Sequence, residues 1–193
     1  MRHFIALVVV VLVGLMSSPI RADYLANTDL KEGFAWWHGD GEPAFLNPDG
    51  TEGAEGDKDV VPVIKIHLSK NQSRSVYQEY ETKDDPKSLH VTLQVFASAD
   101  FKRSAYADDY SSDINWKSTG TYNGADQEVP NADFWLHDVP GGLYQLSDLK
   151  PGDWTSIDCS FDCTTSADSR TLYFNAPPGE GTVYIRNASV TAQ

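Results

Sequence analysis

Trp36, Trp116, Tyr122 and Trp135 are large rings set among glycines, serines, asparagines and aspartates rather than inside long apolar runs. A ring in that setting offers an apolar face beside hydrogen-bonding groups. That combination holds a sugar by stacking on its C–H face while amides and hydroxyls fix its orientation. Gln94 and Gln78, each on the polar face of an alternating stretch, are the candidate hydrogen-bonding partners. Tyr106 and Tyr110 share the same long segment. The other use of such rings is to pin a loop onto the core, and residue type leaves both uses open.

Catalytic chemistry finds less support. With 28 Asp and Glu residues, some pair always has the chemistry for glycoside hydrolysis, so their number decides nothing. No G-x-S-x-G elbow, H-E-x-x-H pair or strand of alternating carboxylates occurs. The formal charge of −13 repels phosphate backbones and argues against a nucleic-acid partner.

These side chains need elements to position them. The opening "MRHFIALVVVVLVGLMSSPIRA" has a short basic start, an apolar run from Phe4 to Met16 and small residues near Ala22. That is the pattern of a signal peptide over residues 1–22. It implies a secreted or periplasmic chain of residues 23–193, with no membrane insertion after cleavage. Beyond it, regular stretches alternate with period two. In "SLHVTLQVFAS", Leu89, Val91, Leu93, Val95 and Ala97 share one face, and His90, Thr92, Gln94 and Phe96 the other. "VVPVIKIHLS", "SVYQEYET", "WTSIDCSF", "TLYFNA" and "TVYIRNASV" are further strands, separated by Gly, Pro, Asn and Asp clusters. Many short strands and no helical stripe predict an all-β chain, a single antiparallel β-sandwich. The segments 47–59 and 99–133 read as long surface loops. Cys159 and Cys163, in "DCSFDC", predict a small disulfide loop in an oxidising compartment, provided the chain turns across Ser160, Phe161 and Asp162. So short a loop contributes about 2 kcal/mol.

The opening "LANTDLKEGFAWWHGDG", the strand start "KPGDWTSIDCSF" and the closing "YIRNASV" together resemble jelly-roll carbohydrate-binding modules with a galactose-binding-like fold. That resemblance implies a jelly-roll sandwich, with Trp37 and Trp154 as core anchors. Adjacent residues on a strand point to opposite faces, so with Trp37 inward Trp36 is the freer ring. It also implies a structural calcium between the opening segment and the last strand. Lys31 stands where the family has glutamate, and Asn187 stands where it has a second closing aspartate. Asp29, Glu32 and Asn187 are then the candidate calcium ligands. The function implied is a secreted, monomeric, non-catalytic module whose partner is a glycan. A structural or protein-interaction sandwich at the cell envelope is the alternative. A polysaccharide-active enzyme is the reading the missing motifs disfavour.

Overall fold

The computed structural model describes residues 23–72, 74–82, 86–103, 149–163, 169–176 and 178–193, with four short strand segments between residues 120 and 144. The expected signal peptide and Trp116 lie outside the described residues. In chain order the strands are β1 (His38–Gly39), β2 (Glu42–Leu46), β3 (Val61–His67), β4 (Arg74–Glu81), β5 (Ser88–Ala97), β6 (Lys102–Arg103), β7 (Gly120–Tyr122), β8 (Ala125–Gln127), β9 (Phe134–Leu136), β10 (Leu143–Tyr144), β11 (Trp154–Asp162), β12 (Ser169–Ala176), β13 (Gly179–Glu180) and β14 (Thr182–Ala192).

Two five-stranded sheets result, with every ladder in them antiparallel. Sheet A has the order β11-β5-β14-β3-β2, and sheet B has the order β1-β4-β12-β9-β10. The alternation explains the layering. Leu89, Val91, Leu93 and Val95 of β5 turn one face inward, as predicted. They pack in one core with Val76 and Tyr80 of β4 and Leu172 and Phe174 of β12. Burying each such aliphatic or aromatic side chain contributes about 1.5–3 kcal/mol. The sandwich predicted from sequence is the fold observed. Its ends meet: the Tyr24 amide donates to the Val190 carbonyl at 2.8 Å, and the Val190 amide donates to Asp23 Oδ1 at 3.0 Å.

Three expectations need correction. The first concerns the phase of β4. Val76, Gln78 and Tyr80 point inward, and Tyr77, Glu79 and Glu81 point outward. Gln78 therefore does not share a surface with Gln94, and β4 and β5 lie in different sheets. Gln78 is 2% exposed. Its Oε1 accepts from the Ala26 amide at 2.6 Å, and its Nε2 donates to the Ala26 carbonyl at 3.1 Å. An amide is tolerated in the core because the opening segment closes there and its backbone needs partners.

The second is the disulfide. Cys159 sits within β11, whose pairing with β5 runs unbroken through Cys159↔Val91, Ser160↔His90, Phe161↔Leu89 and Asp162↔Ser88. The Cys163 amide then donates to the Lys87 carbonyl at 2.7 Å. The turn that a Cys159–Cys163 bridge requires is absent. Four residues of strand separate the two α-carbons by about 13 Å, roughly twice the reach of a disulfide.

The third is Trp154. Trp37 is a core anchor at 4% exposure, whereas Trp154 lies on the outer face of sheet A. There it joins a second cluster with Leu46, Val63, Phe96 and Tyr184. The loop read as surface covers this cluster. At Gly50 (φ +84°) an added Cβ would stand 2.4 Å from the Phe96 ring, so only glycine lets the loop lie this close. Glu52 fastens it, accepting from the Tyr184 hydroxyl at 2.9 Å and pairing with Lys65 Nζ at 2.7 Å.

Two predictions follow from this packing. Gln78→Ala leaves the Ala26 amide and carbonyl without their partner, and should lower unfolding free energy by about 2 kcal/mol in urea titration. The Lys65 hydrogen bond holds the Glu52 carboxyl below its ordinary value, although burial opposes it. A depressed folded-state pKa gives stability present above the unfolded value and lost as pH falls through the folded one. The difference in melting temperature between wild type and Glu52→Gln should therefore close on acidification below about pH 4.5. It should be small throughout, because Glu52 is half-exposed.

Candidate functional site

The outer face of sheet B carries a row of rings aligned across its strands. His38 of β1 pairs with Tyr77 of β4, Tyr77 pairs with Tyr173 of β12, and Tyr173 pairs with Trp135 of β9. Cross-strand neighbours stand about 4.8 Å apart, so the row spans four strands. The His38 and Tyr77 ring centres are 5.5 Å apart, tilted at 35°. Tyr77 and Tyr173 are 5.0 Å apart and stacked at 28°. The backbone of Trp135 is in register with this row, and its side chain lies outside the described residues.

Local sequence sets this arrangement. In "SRTLYFNA", Leu172, Phe174 and Ala176 are buried, so Tyr173 must face out. In β4, inward Val76 and Gln78 leave Tyr77 outside. Gly39 brings β1 close enough to pair: its φ is +110°, and an added Cβ would sit 2.1 Å from the Ser75 carbonyl oxygen. Asp40 completes the join, accepting from the Ser75 amide and from Arg74 Nη1, both at 3.0 Å. Polar pairs flank the rings, with Thr171 opposite Glu79 on one side and Asn175 opposite Ser75 on the other.

Trp36 stands two residues before His38, and its side of the chain is open to solvent. It is 64% exposed, the one large hydrophobic side chain so exposed among the described residues. The two tryptophans were expected to alternate as on a strand, yet they lie in a series of turns. The Gly33, Ala35 and Trp37 amides donate to the Leu30, Glu32 and Phe34 carbonyls. Asn27 organises the segment, its Nδ2 donating to the Gly33 and Ala35 carbonyls and its Oδ1 accepting from the Glu32 amide. Trp37 turns into the core and Trp36 out, with Trp36 at φ +72°. A left-handed conformation costs a bulky residue about 1–2 kcal/mol. The fold thus displays a large apolar ring at a cost in strain.

The other candidates are dispersed. Gln94 lies on the outer face of sheet A, accepting from Arg186 Nε at 2.8 Å. Gln78 is buried. Tyr122 belongs to the hairpin of β7 and β8, with its side chain outside the described residues. Two of the proposed calcium ligands have partners within the chain. Asp29 pairs with Lys31 Nζ at 2.5 Å, so the lysine in the family's glutamate position takes the carboxylate itself. That bond holds the Asp29 carboxyl below its usual range. The Asn187 amide donates to Gln94 at 3.2 Å. Among the described residues no three His, Cys, Asp or Glu side chains are placed to share a metal ion.

No family model matches the sequence, and no curated protein matches it significantly. Solved structures give matches at low identity. TmCBM61, in complex with beta-1,4-galactotriose, is 12% identical with a TM-score of 0.49, covering 89% of this chain and 99% of its own. The enzymatically active domain of bacteriophage CBA120 tailspike protein 4 is 8% identical with a TM-score of 0.50, over 89% of this chain and 21% of that one. The C-terminal family 22 carbohydrate binding module of Clostridium thermocellum Xyn10B is 8% identical with a TM-score of 0.44, over 88% and 94%. The chain is an all-β, antiparallel two-sheet sandwich. A likeness at 8% identity, as to the tailspike domain, concerns the fold alone.

His38, Tyr77 and Tyr173 were missed from sequence, because "SVYQEYET" was phased by Tyr80 and the outward ring in "TLYFNA" was not singled out. The alternation of Leu172 and Phe174 was the signal that could have found Tyr173. Gly39→Ala should push β1 off Ser75, lowering stability by about 2 kcal/mol in urea titration. It should also remove the ring-current shift that Tyr77 imposes on His38 in the proton NMR spectrum.

Proposed function

We propose that the protein is an extracytoplasmic, non-catalytic module that binds a glycan on the outer face of sheet B. Trp36 is the stacking ring. The Tyr77 and Tyr173 hydroxyls and the flanking Thr171, Glu79, Ser75 and Asn175 supply hydrogen bonds. The observation that carries this reading is Trp36, exposed and strained beside an aromatic row. A purely structural ladder accounts for Tyr77 and Tyr173, which cover each other's faces. It does not account for Trp36, because a core needs no ring turned to water.

The ligand is an uncharged glycan on electrostatic grounds, since the chain's net charge of −13 disfavours polyanions. The test is a glycan array on the exported protein, followed by calorimetry with the best ligand. Trp36→Gly separates binding from folding, because glycine adopts positive φ without strain. It should leave the melting temperature unchanged or higher, while weakening binding by about 1–3 kcal/mol, by analogy with base stacking on aromatic rings. An array with no bound glycan, or a glycine variant that binds as tightly as wild type, would overturn the proposal.

A further inference from the structure

The outer face of sheet A holds an arrangement that the glycan reading does not use. Arg186, Gln94 and Ser156 form one cross-strand row over β14, β5 and β11. Arg186 directly precedes a bulge, where the pairing of β14 with β5 slips before Ser189 and Asn187 takes φ +52°. Bulges re-aim the side chains beside them. Here the guanidinium carbon lies 3.8 Å from the centre of the Trp154 ring. Its Nε donates to Gln94 Oε1 at 2.8 Å. Gln94 is itself held, since the same oxygen accepts from Asn187 Nδ2 at 3.2 Å and its Nε2 donates to Ser156 Oγ at 3.4 Å. Trp154 rests on Phe96, with ring centres 5.4 Å apart.

One face and one edge of the guanidinium are thus occupied, and its plane is fixed. Its terminal nitrogens, Nη1 and Nη2, have no hydrogen bond or ion pair among the described residues. Lys31, Lys65, Lys70 and Arg74 each have a carboxylate. Burial partly desolvates Arg186. Asp158, further along β11, is engaged by His90 at 2.8 Å.

We propose that Arg186 anchors a second ligand site, which takes a carboxylate end-on at its Nη1–Nη2 edge. Two parallel N–H donors match the two oxygens of a carboxylate, and the stack on Trp154 fixes the plane in which they meet. A monovalent, planar anion suits the site better than a phosphate, whose second charge the acidic surface would repel. A simple organic acid and the uronic acid of a sugar present the same chemistry. This site lies on the opposite sheet from the aromatic row, so it stands or falls independently of the glycan reading.

The test is an NMR titration of the full exported protein with sodium acetate and with sodium glucuronate, against sodium chloride at matched ionic strength. The reporters are the Trp154 indole and Arg186 Nε resonances. Both should move saturably with the carboxylates and not with chloride. Arg186→Lys, which keeps the charge and loses the fork, should bind about tenfold more weakly. Tighter binding of glucuronate than of acetate assigns the site to a sugar acid, and equal binding assigns it to the carboxylate alone. The proposal is overturned if neither carboxylate gives a saturable shift. It is also overturned if the shifts persist in Arg186→Gln while its spectrum shows the native fold.

Discussion

Everything in this molecule is arranged around burial of one face of each sheet and not the other. A strand alternates its side chains, so committing Leu89, Val91, Leu93 and Val95 to the core commits His90, Thr92 and Gln94 to the outside. The same constraint, applied from sheet B, puts Tyr77 and Tyr173 side by side on the surface. The aromatic row is therefore built into the inter-sheet packing rather than added to it. A one-residue slip in β4 or β12 would bury the row and expose the core.

How much of this was legible in the sequence depended on whether an element had one apolar phase or two. In β5 the phase of Leu89, Val91, Leu93 and Val95 is aliphatic throughout, and its inward burial could be read directly. β4 reads Val-Tyr-Gln-Glu-Tyr, with an aromatic in each phase, so its own residues do not choose. The choice is made by Ala26, whose backbone groups recruit Gln78 inward from 52 residues away. Trp154 was misplaced for a related reason. A large ring at a strand start suggests core, but the outer faces of β2, β3, β5 and β14 supply a second apolar cluster in Leu46, Val63, Phe96 and Tyr184. The cysteine spacing suggested a turn, and the ladder with β5 overrode it. Each miss came from a contact far away in sequence, which local pattern cannot carry.

The candidate site divides along the same line. Trp36 was legible, because two adjacent tryptophans cannot both enter one core. His38 and Tyr173 were not, because they acquire their meaning only from the strands that flank them. Lys31 stands where the resembled family has glutamate, and its ammonium pairs with Asp29 in a local, exposed ion pair.

The docking of Asp23 and Tyr24 on the last strand has a mechanical consequence. These residues are fastened to Val190 and Thr191, and the Gln193 amide donates to the Ser88 carbonyl, so both segments bear on sheet A. A pull applied through Asp23 or through Gln193 would act on the layer opposite the aromatic row. Pulling on both would load β14 at a single point rather than peel the sandwich apart along its length. The row would keep its geometry under such a load, because β1, β4, β12 and β9 lie in the other sheet.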